Sequence, residues 1–299
     1  MTASASSQSR SLTVRRSRLR CRRAAWDWIS AAAAVRWPLP AQSAIPRGML
    51  VSLIAGTVLS LALLLVFGVF GICVSGKLRV VLGVVFGIAF VVYAKYTQWC
   101  VYAYRSFSYD GERKLSKEII DGTAEHITLP DGGVGLDIGC GSGALTIACA
   151  KRNPQGKMIG IDRWGKEYAS FSLPLCEKNA AAEGVKNVSF QRGNAVKLDF
   201  PDESFDAVTS NYVYHNIAGK DKQALLLETL RVLKKGGMFA IHDLMSPGRY
   251  GDMQAFVQKL RDMGYECVEL IDTTDGSFMT PKEAKRLMLR GSTLLLGIK

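Results

Sequence analysis

Charge disappears between Gly48 and Gly76, where the chain reads GMLVSLIAGTVLSLALLLVFGVFGICVSG. A run of this length exceeds the roughly 20 apolar residues needed to cross a bilayer core. It predicts a transmembrane helix over about 49–74. After a short turn at Ser75–Arg79, a second apolar run, VVLGVVFGIAFVVYA, fills 80–94. Alone it is marginal, but YTQWCVYAY (96–104) extends it to about 103. Tyr93, Tyr96, Trp99 and Tyr102 then fall at an interface, and Lys95 can snorkel. The expected unit is a helical hairpin over 49–104, with a re-entrant second segment as the alternative. Gly83 and Gly87 form a small-xxx-small pair suited to close helix packing.

From Asp110 onward the pattern changes to short apolar runs alternating with amphipathic ones. It predicts strands at 134–139, 157–162, 188–192, 205–210, 237–243, 266–271 and 293–298. Helices are predicted at 113–127, 143–152, 167–183, 220–234 and 250–263. Thr280-Pro281-Lys282-Glu283 has the form of a capping box with proline at the first helical position, which predicts a short helix over 281–290. Strands alternating with helices imply an α/β fold with a doubly wound, mostly parallel seven-stranded sheet. The methyl-rich hairpin and this domain, 110–299, are separate units by pattern alone.

Charge changes the picture in one respect. The chain carries 38 Lys and Arg against 26 Asp and Glu, and residues 1–109 hold 13 of the bases but one acid, Asp27. The remaining 25 bases and 25 acids of 110–299 cancel. A neutral domain has no average attraction for phosphate backbones, so the basic balance is no sign of nucleic-acid binding. The excess belongs to a Ser-, Ala- and Arg-rich leader, 1–48, with arginines at 15, 16, 18, 20, 22 and 23. It reads as a disordered basic tail, an organelle transit peptide, or an over-long start preceding Met49. Two crossings return the chain to the side it left, so the positive-inside rule puts both leader and domain on the cytoplasmic side. Seven cysteines without a CxxC pair argue against a disulfide framework or a zinc site, and no metal is expected.

The chemistry concentrates in VGLDIGCGSGALTIA (134–148). An apolar strand runs into Gly139, Gly141 and Gly143, and a helix follows. Glycines permit the tight turn and the close approach of a ligand to the helix N-terminus. Gly139, Gly141 and Ala144 also satisfy a relaxed dinucleotide fingerprint, and Asp162 stands where either kind of site would hold a ribose. Asp137 within the strand and the G-x-G-x-G spacing separate the two.

LDIGCGSG (136–143), IGIDRW (159–164), GNAVKLDFPDESFDAVTSNYVYHNI (193–217) and LRVLKKGGMFAIHDL (230–244) occur in order. Together they resemble the motifs of class I S-adenosylmethionine-dependent methyltransferases, small-molecule type, over about 110–299. The resemblance implies S-adenosylmethionine as cofactor. It places Gly139, Cys140, Gly141 and Gly143 along the methionyl part and Asp137 near its amino group. It gives Asp162 to the ribose hydroxyls and Arg163 and Trp164 to the flanks of the adenine. Asn194, with Ala195, stands where the family often has Asp at the adenine amino group, and an amide oxygen can accept the same bond. Asn211 would border the methyl group.

The catalytic residue is harder to name, because in-line methyl transfer depends chiefly on positioning and needs a base only if the acceptor loses a proton. His215 and Tyr214 are the candidates. His242 with Asp243 lies at the same sheet edge, Tyr212 is a candidate wall residue, and His126 reads as structural. Asn211-Tyr212-Val213-Tyr214 is not the Asn-Pro-Pro-aromatic motif of enzymes that methylate base or glutamine amino groups. The expected function is methyl transfer to a small, lipophilic or membrane-associated acceptor such as a quinone precursor. The alternatives are a tethered enzyme with a soluble acceptor and a non-catalytic cofactor-binding protein.

Overall fold

The computed structural model describes residues 47–109, 111–165 and 171–299. They divide into two compact units, one ending at Glu118 and the other formed by Ile119–Lys299. The second unit thus starts nine residues after the 110 expected for the domain, inside a helix. The leader expected at 1–48 lies outside the described residues except for its last two.

In the first unit, α1 (Arg47–Leu63) continues as a π-helical turn, Leu64–Val69, and α2 spans Gly76–Phe107. Both are long and apolar enough to cross a membrane. The first helix ends five residues before the expected 74. Its terminal carbonyls are taken up by Arg79, which donates from Nε to Gly68 O at 3.0 Å and from a terminal nitrogen to Val69 O. The second helix is longer at both ends than the expected 80–103. Gly68 and Gly83 meet where the helices pack: a Cβ on Gly68 would stand 2.7 Å from Gly83 Cα. Thr57 Oγ1 gives its proton to Leu53 O at 2.8 Å and so accepts from Thr97 Oγ1 at 2.9 Å across the pair. The outward surfaces carry Val51, Ile54, Val58, Val80, Val84 and Ile88, all exposed.

In the second unit, the carboxyl-terminal part of α3 (Leu115–Ala124) precedes β1 (Val134–Ile138), α4 (Ala144–Arg152), β2 (Lys157–Asp162), α5 (Leu173–Ala182), β3 (Val188–Arg192) and β4 (Phe205–Asn211). A 3-10 turn, Tyr214–Asn216, leads to α6 (Lys222–Arg231), β5 (Leu233–Leu244), α7 (Pro247–Tyr250), α8 (Met253–Asp262), β6 (Glu266–Asp272), α9 (Pro281–Arg286) and β7 (Ser292–Ile298). The sheet order is β3-β2-β1-β4-β5-β7-β6. Strands β1 to β5 pair in parallel, and β7 runs antiparallel between β5 and β6. This is the expected doubly wound, mostly parallel sheet. The order reverses at β1 and β4, the switch point where such folds bind ligands.

Each face of the sheet is covered. Leu225, Leu226, Leu230, Phe256, Val257 and Leu260 of α6 and α8 pack on one side with Leu136, Val208 and Ile241. On the other, Ile120 and Ala124 of α3 and Leu145, Ala148 and Cys149 of α4 pack with Met158 and Ala207. Local signals set most boundaries. Ser172 caps α5, so the described helix begins six residues after the expected 167. Asp252 caps α8 and divides the expected 250–263 helix from the short α7. The Thr280–Glu283 capping box is present, with α9 ending at Arg286. Strand β5 begins at Leu233 rather than 237, because Gly236 at φ 76° lets the strand continue through an irregular step opposite Phe205 and Ala207.

Candidate functional site

The carboxyl ends of β1, β2, β4 and β5 bring together almost all the residues singled out from sequence. Gly139, Gly141 and Gly143 have φ of 72°, 55° and 82°, values that L side chains rarely adopt. Their surroundings differ. A Cβ on Gly139 would stand 2.3 Å from Val213, and one on Gly143 would stand 2.8 Å from Phe190. At Gly141 the nearest atoms, of the Phe171 ring, lie at an ordinary 3.7 Å. Two of the glycines are therefore demanded by the protein's own packing, while Gly141 alone presents open backbone of the kind a ligand can approach.

Asp162, at the end of β2, fastens this loop. Its Oδ2 accepts from Gly141 N at 2.9 Å and its Oδ1 from Trp164 N at 2.7 Å. Trp164 is itself left-handed, at φ 43°, and its indole Nε1 donates to Gly141 O at 2.9 Å. The indole thus lies against the loop, and Arg163 between the two is exposed. Cys140 is buried, and Cys176 Sγ approaches Gly141 O at 3.2 Å. The Cys176 thiol and burial together push the Cys140 thiol well above its usual range, so it is a protonated packing residue.

Asp137 is sealed beneath the loop, 1% exposed. Thr146 Oγ1 of α4 donates to its Oδ2 at 2.6 Å, and Thr209 Oγ1 of β4 donates to its Oδ1 at 3.0 Å. Burial raises its pKa to about 6, against the pull of the two threonines. The threonines were not foreseen, although both fall in the apolar runs flanking the motif. Asn194 is exposed and turns its Oδ1 back to Val196 N at 3.0 Å, an Asx turn, with Ala195 half-buried behind it.

Asn211 ends β4, and its Oδ1 lies 2.8 Å from His242 Nδ1. His242 is fully buried and also meets Thr273 Oγ1 through Nε2 at 2.9 Å. Burial lowers its pKa to about 4, so it stays neutral and acts as a strut. Tyr212, left-handed at φ 54°, stacks edge-on against His242 with centroids 4.7 Å apart and bonds to Ser292 Oγ at 2.7 Å. Tyr214 is a correction: its ring is wholly buried in the core and its hydroxyl bonds to Thr229 Oγ1 at 2.5 Å, so it is turned away from the sheet edge. The strand period places Ser210 Oγ on Ile138 O, and the turn after Asn211 swings Tyr214 inward.

His215, next in the chain, faces the other way. Its Nδ1 lies 2.5 Å from Asp243 Oδ1. Asp243 is completely buried at the end of β5 and accepts from the backbone of Tyr214 at 2.8 Å, His215 at 3.2 Å and Leu244 at 2.6 Å. Burial pushes its carboxyl up, but the His215 contact and these amides outweigh burial and hold it below the usual range. The pairing of His215 with Asp243 was missed in sequence, where Asp243 was grouped with its neighbour His242. Adjacent strand residues point to opposite faces, and that was the signal available.

The family profile described as "Methyltransferase domain" matches residues 130–288. The demethylmenaquinone methyltransferase of Geobacillus stearothermophilus is 35% identical over 122 residues, 40% of this chain and 49% of that protein. That of Symbiobacterium thermophilum is 37% identical over 114 residues, 38% of this chain and 43% of that protein. The chain thus spans about half the length of these relatives or less. Among solved structures, a SAM-dependent methyltransferase from Aquifex aeolicus is 19% identical, with a TM-score of 0.42 over 62% of this chain and 96% of that one.

Proposed function

This chain belongs to the methyltransferase domain family, whose methyl donor is S-adenosylmethionine, and we propose on that footing that it methylates a small, lipophilic acceptor at a membrane face. The observation that carries the reading is the union in one chain of the glycine loop and two helices long and apolar enough to cross a membrane. The name borne by the relatives, demethylmenaquinone methyltransferase, supports a quinone-type acceptor.

The residues present fit the cofactor. Gly141 offers open backbone, with nothing nearer than an ordinary 3.7 Å contact where a Cβ would stand. When bound, S-adenosylmethionine supplies a methyl carbon made electrophilic by its sulfonium. The protein's part is to bind and orient. Asp162, already aligned by two amides, keeps lone pairs on both oxygens for a vicinal diol. Arg163 and Trp164 flank the adenine, and Asn194 and Ala195 meet its edge. Asp137 acts on the amino group from below, through the Thr146 and Thr209 hydroxyls or a water. Asn211, braced by His242, borders the methyl group and helps hold the acceptor about 3–3.5 Å away and in line. The hairpin would hold the chain at a membrane, the phase into which a greasy acceptor partitions, with the domain on the cytoplasmic side.

Full-length protein in vesicles, given labelled cofactor and a membrane extract, should put label into the organic phase. Label confined to protein would overturn the reading.

A further inference from the structure

In an inference that rests on the methyltransferase reading, we infer that His215, held by Asp243, is the general base that takes a proton from an ionisable hydroxyl on the acceptor. The acceptor is then a phenol- or enol-type compound.

The arrangement is defined at each atom. Asp243 is an ionised carboxylate with no proton to give, so the hydrogen in its 2.5 Å contact with His215 belongs to Nδ1. With that hydrogen on Nδ1, the lone pair of the base form of the imidazole is on Nε2. Among the described residues Nε2 makes no hydrogen bond, and the side chain keeps 16% of its exposure. This is the orientation of a base backed by a buried carboxylate, recognisable by geometry and not by sequence position.

A purely structural role explains less. The 3-10 turn is closed by its own bonds, Asn216 N to Val213 O at 3.1 Å and Ile217 N to Tyr214 O at 3.0 Å. Asp243 anchors the same turn through the amides of Tyr214 and His215. The imidazole is needed for neither. The position is also right: Val213, two residues earlier, packs directly on Gly139 of the glycine loop. Asp243, the carboxylate beside His215, is buried and already engaged by three amides and the imidazole, which leaves it poorly placed to draw in a cationic amine.

The step balances simply. The acceptor's O–H bond breaks and its proton moves to Nε2, giving an imidazolium paired with Asp243. The electron pair stays on the acceptor, which uses it, at oxygen or at a conjugated ring carbon, to bond to the methyl carbon. The pair of the broken carbon–sulfur bond remains on sulfur. After transfer to oxygen the imidazolium loses its proton to water. After transfer to a ring carbon the ring proton is lost instead, and the oxygen takes a proton back from the imidazolium or water. One proton is released on either route.

The probes are a prenylated 1,4-naphthoquinol and its dimethyl ether, with full-length protein in vesicles. His215→Gln should lower label transfer to the quinol by at least ~100-fold while S-adenosylmethionine affinity, by calorimetry, stays within about threefold. The wild type should leave the ether unlabelled. Ring nitrogen NMR should show His215 in its Nδ1–H form, and Asp243→Asn should shift that signature. Unchanged transfer by His215→Gln, labelling of the ether, or an Nε2–H imidazole would overturn the proposal. If the wild type ignores the quinol but labels a water-soluble extract component, the lipophilic reading fails on its own. His215→Gln must then lose that product, or the base role fails too. No transfer to any fraction overturns both.

Discussion

Asp137 and Asp162 look alike in the sequence, one an acid within an apolar strand and the other at the end of one, yet burial gives them different work. Asp137 binds its proton with a pKa of about 6 in the folded chain against an ordinary 3.8. Between those values the folded state holds more protons than the unfolded one, so its contribution to stability falls as pH rises through that window. The span corresponds to about 3 kcal/mol in the cofactor-free protein. Asp137→Asn removes the penalty. Thermal melting of the cofactor-free variant should therefore depend less on pH between 4 and 7 than the wild type, and its midpoint at pH 7 should not be lower. A variant that melts well below the wild type at pH 7 would show that the buried charge stabilises the loop. Asp162 is half-exposed and holds the loop by two amides. Asp162→Ala should weaken S-adenosylmethionine binding by at least ~100-fold by calorimetry, a loss on the scale of one or two hydrogen bonds to a charged group, with the far-UV circular dichroism unchanged. Both carboxylates were legible as candidate site residues from strand, glycines and spacing. Their partners were not, because Thr146 and Thr209 reach Asp137, and the Gly141 amide reaches Asp162, only when the elements that carry them converge.

At the scale of elements, the glycine loop and the turn after β4 are one packed object. Gly139 faces Val213 so closely that a methyl group has no room, and its φ is left-handed besides. Gly139→Ala should abolish measurable cofactor binding, and adding Val213→Ala should restore only part of it, since the backbone strain remains. Full restoration would mean that the clash alone mattered. Element types followed from pattern almost throughout: seven strands, the capping box at Thr280, and the apolar helices. Boundaries moved where a side-chain cap or a single glycine decided them. Ser172 and Asp252 set helix starts that periodicity cannot see, and Gly236 lengthened β5. Tyr214 shows the limit of strand logic at a sheet edge. Once β4 ends at Asn211, alternation no longer tells which side chain faces the sheet edge, and a 3-10 turn buried the tyrosine and left the histidine partly exposed.

For the whole molecule, charge, apolar length and motif each belong to a different stretch, and that segregation made the organisation readable. The basic excess lies in the leader and hairpin, the glycine loop in a neutral domain. The acceptor is not written in any motif; it is argued from the company the domain keeps. Mass spectrometry of a membrane extract, before and after incubation of the full-length protein in vesicles with S-adenosylmethionine, tests this most directly. The account predicts a lipid-soluble product heavier by one methylene, formed in step with S-adenosylhomocysteine. S-adenosylhomocysteine with no methylated lipid-soluble partner, or none at all, would contradict it.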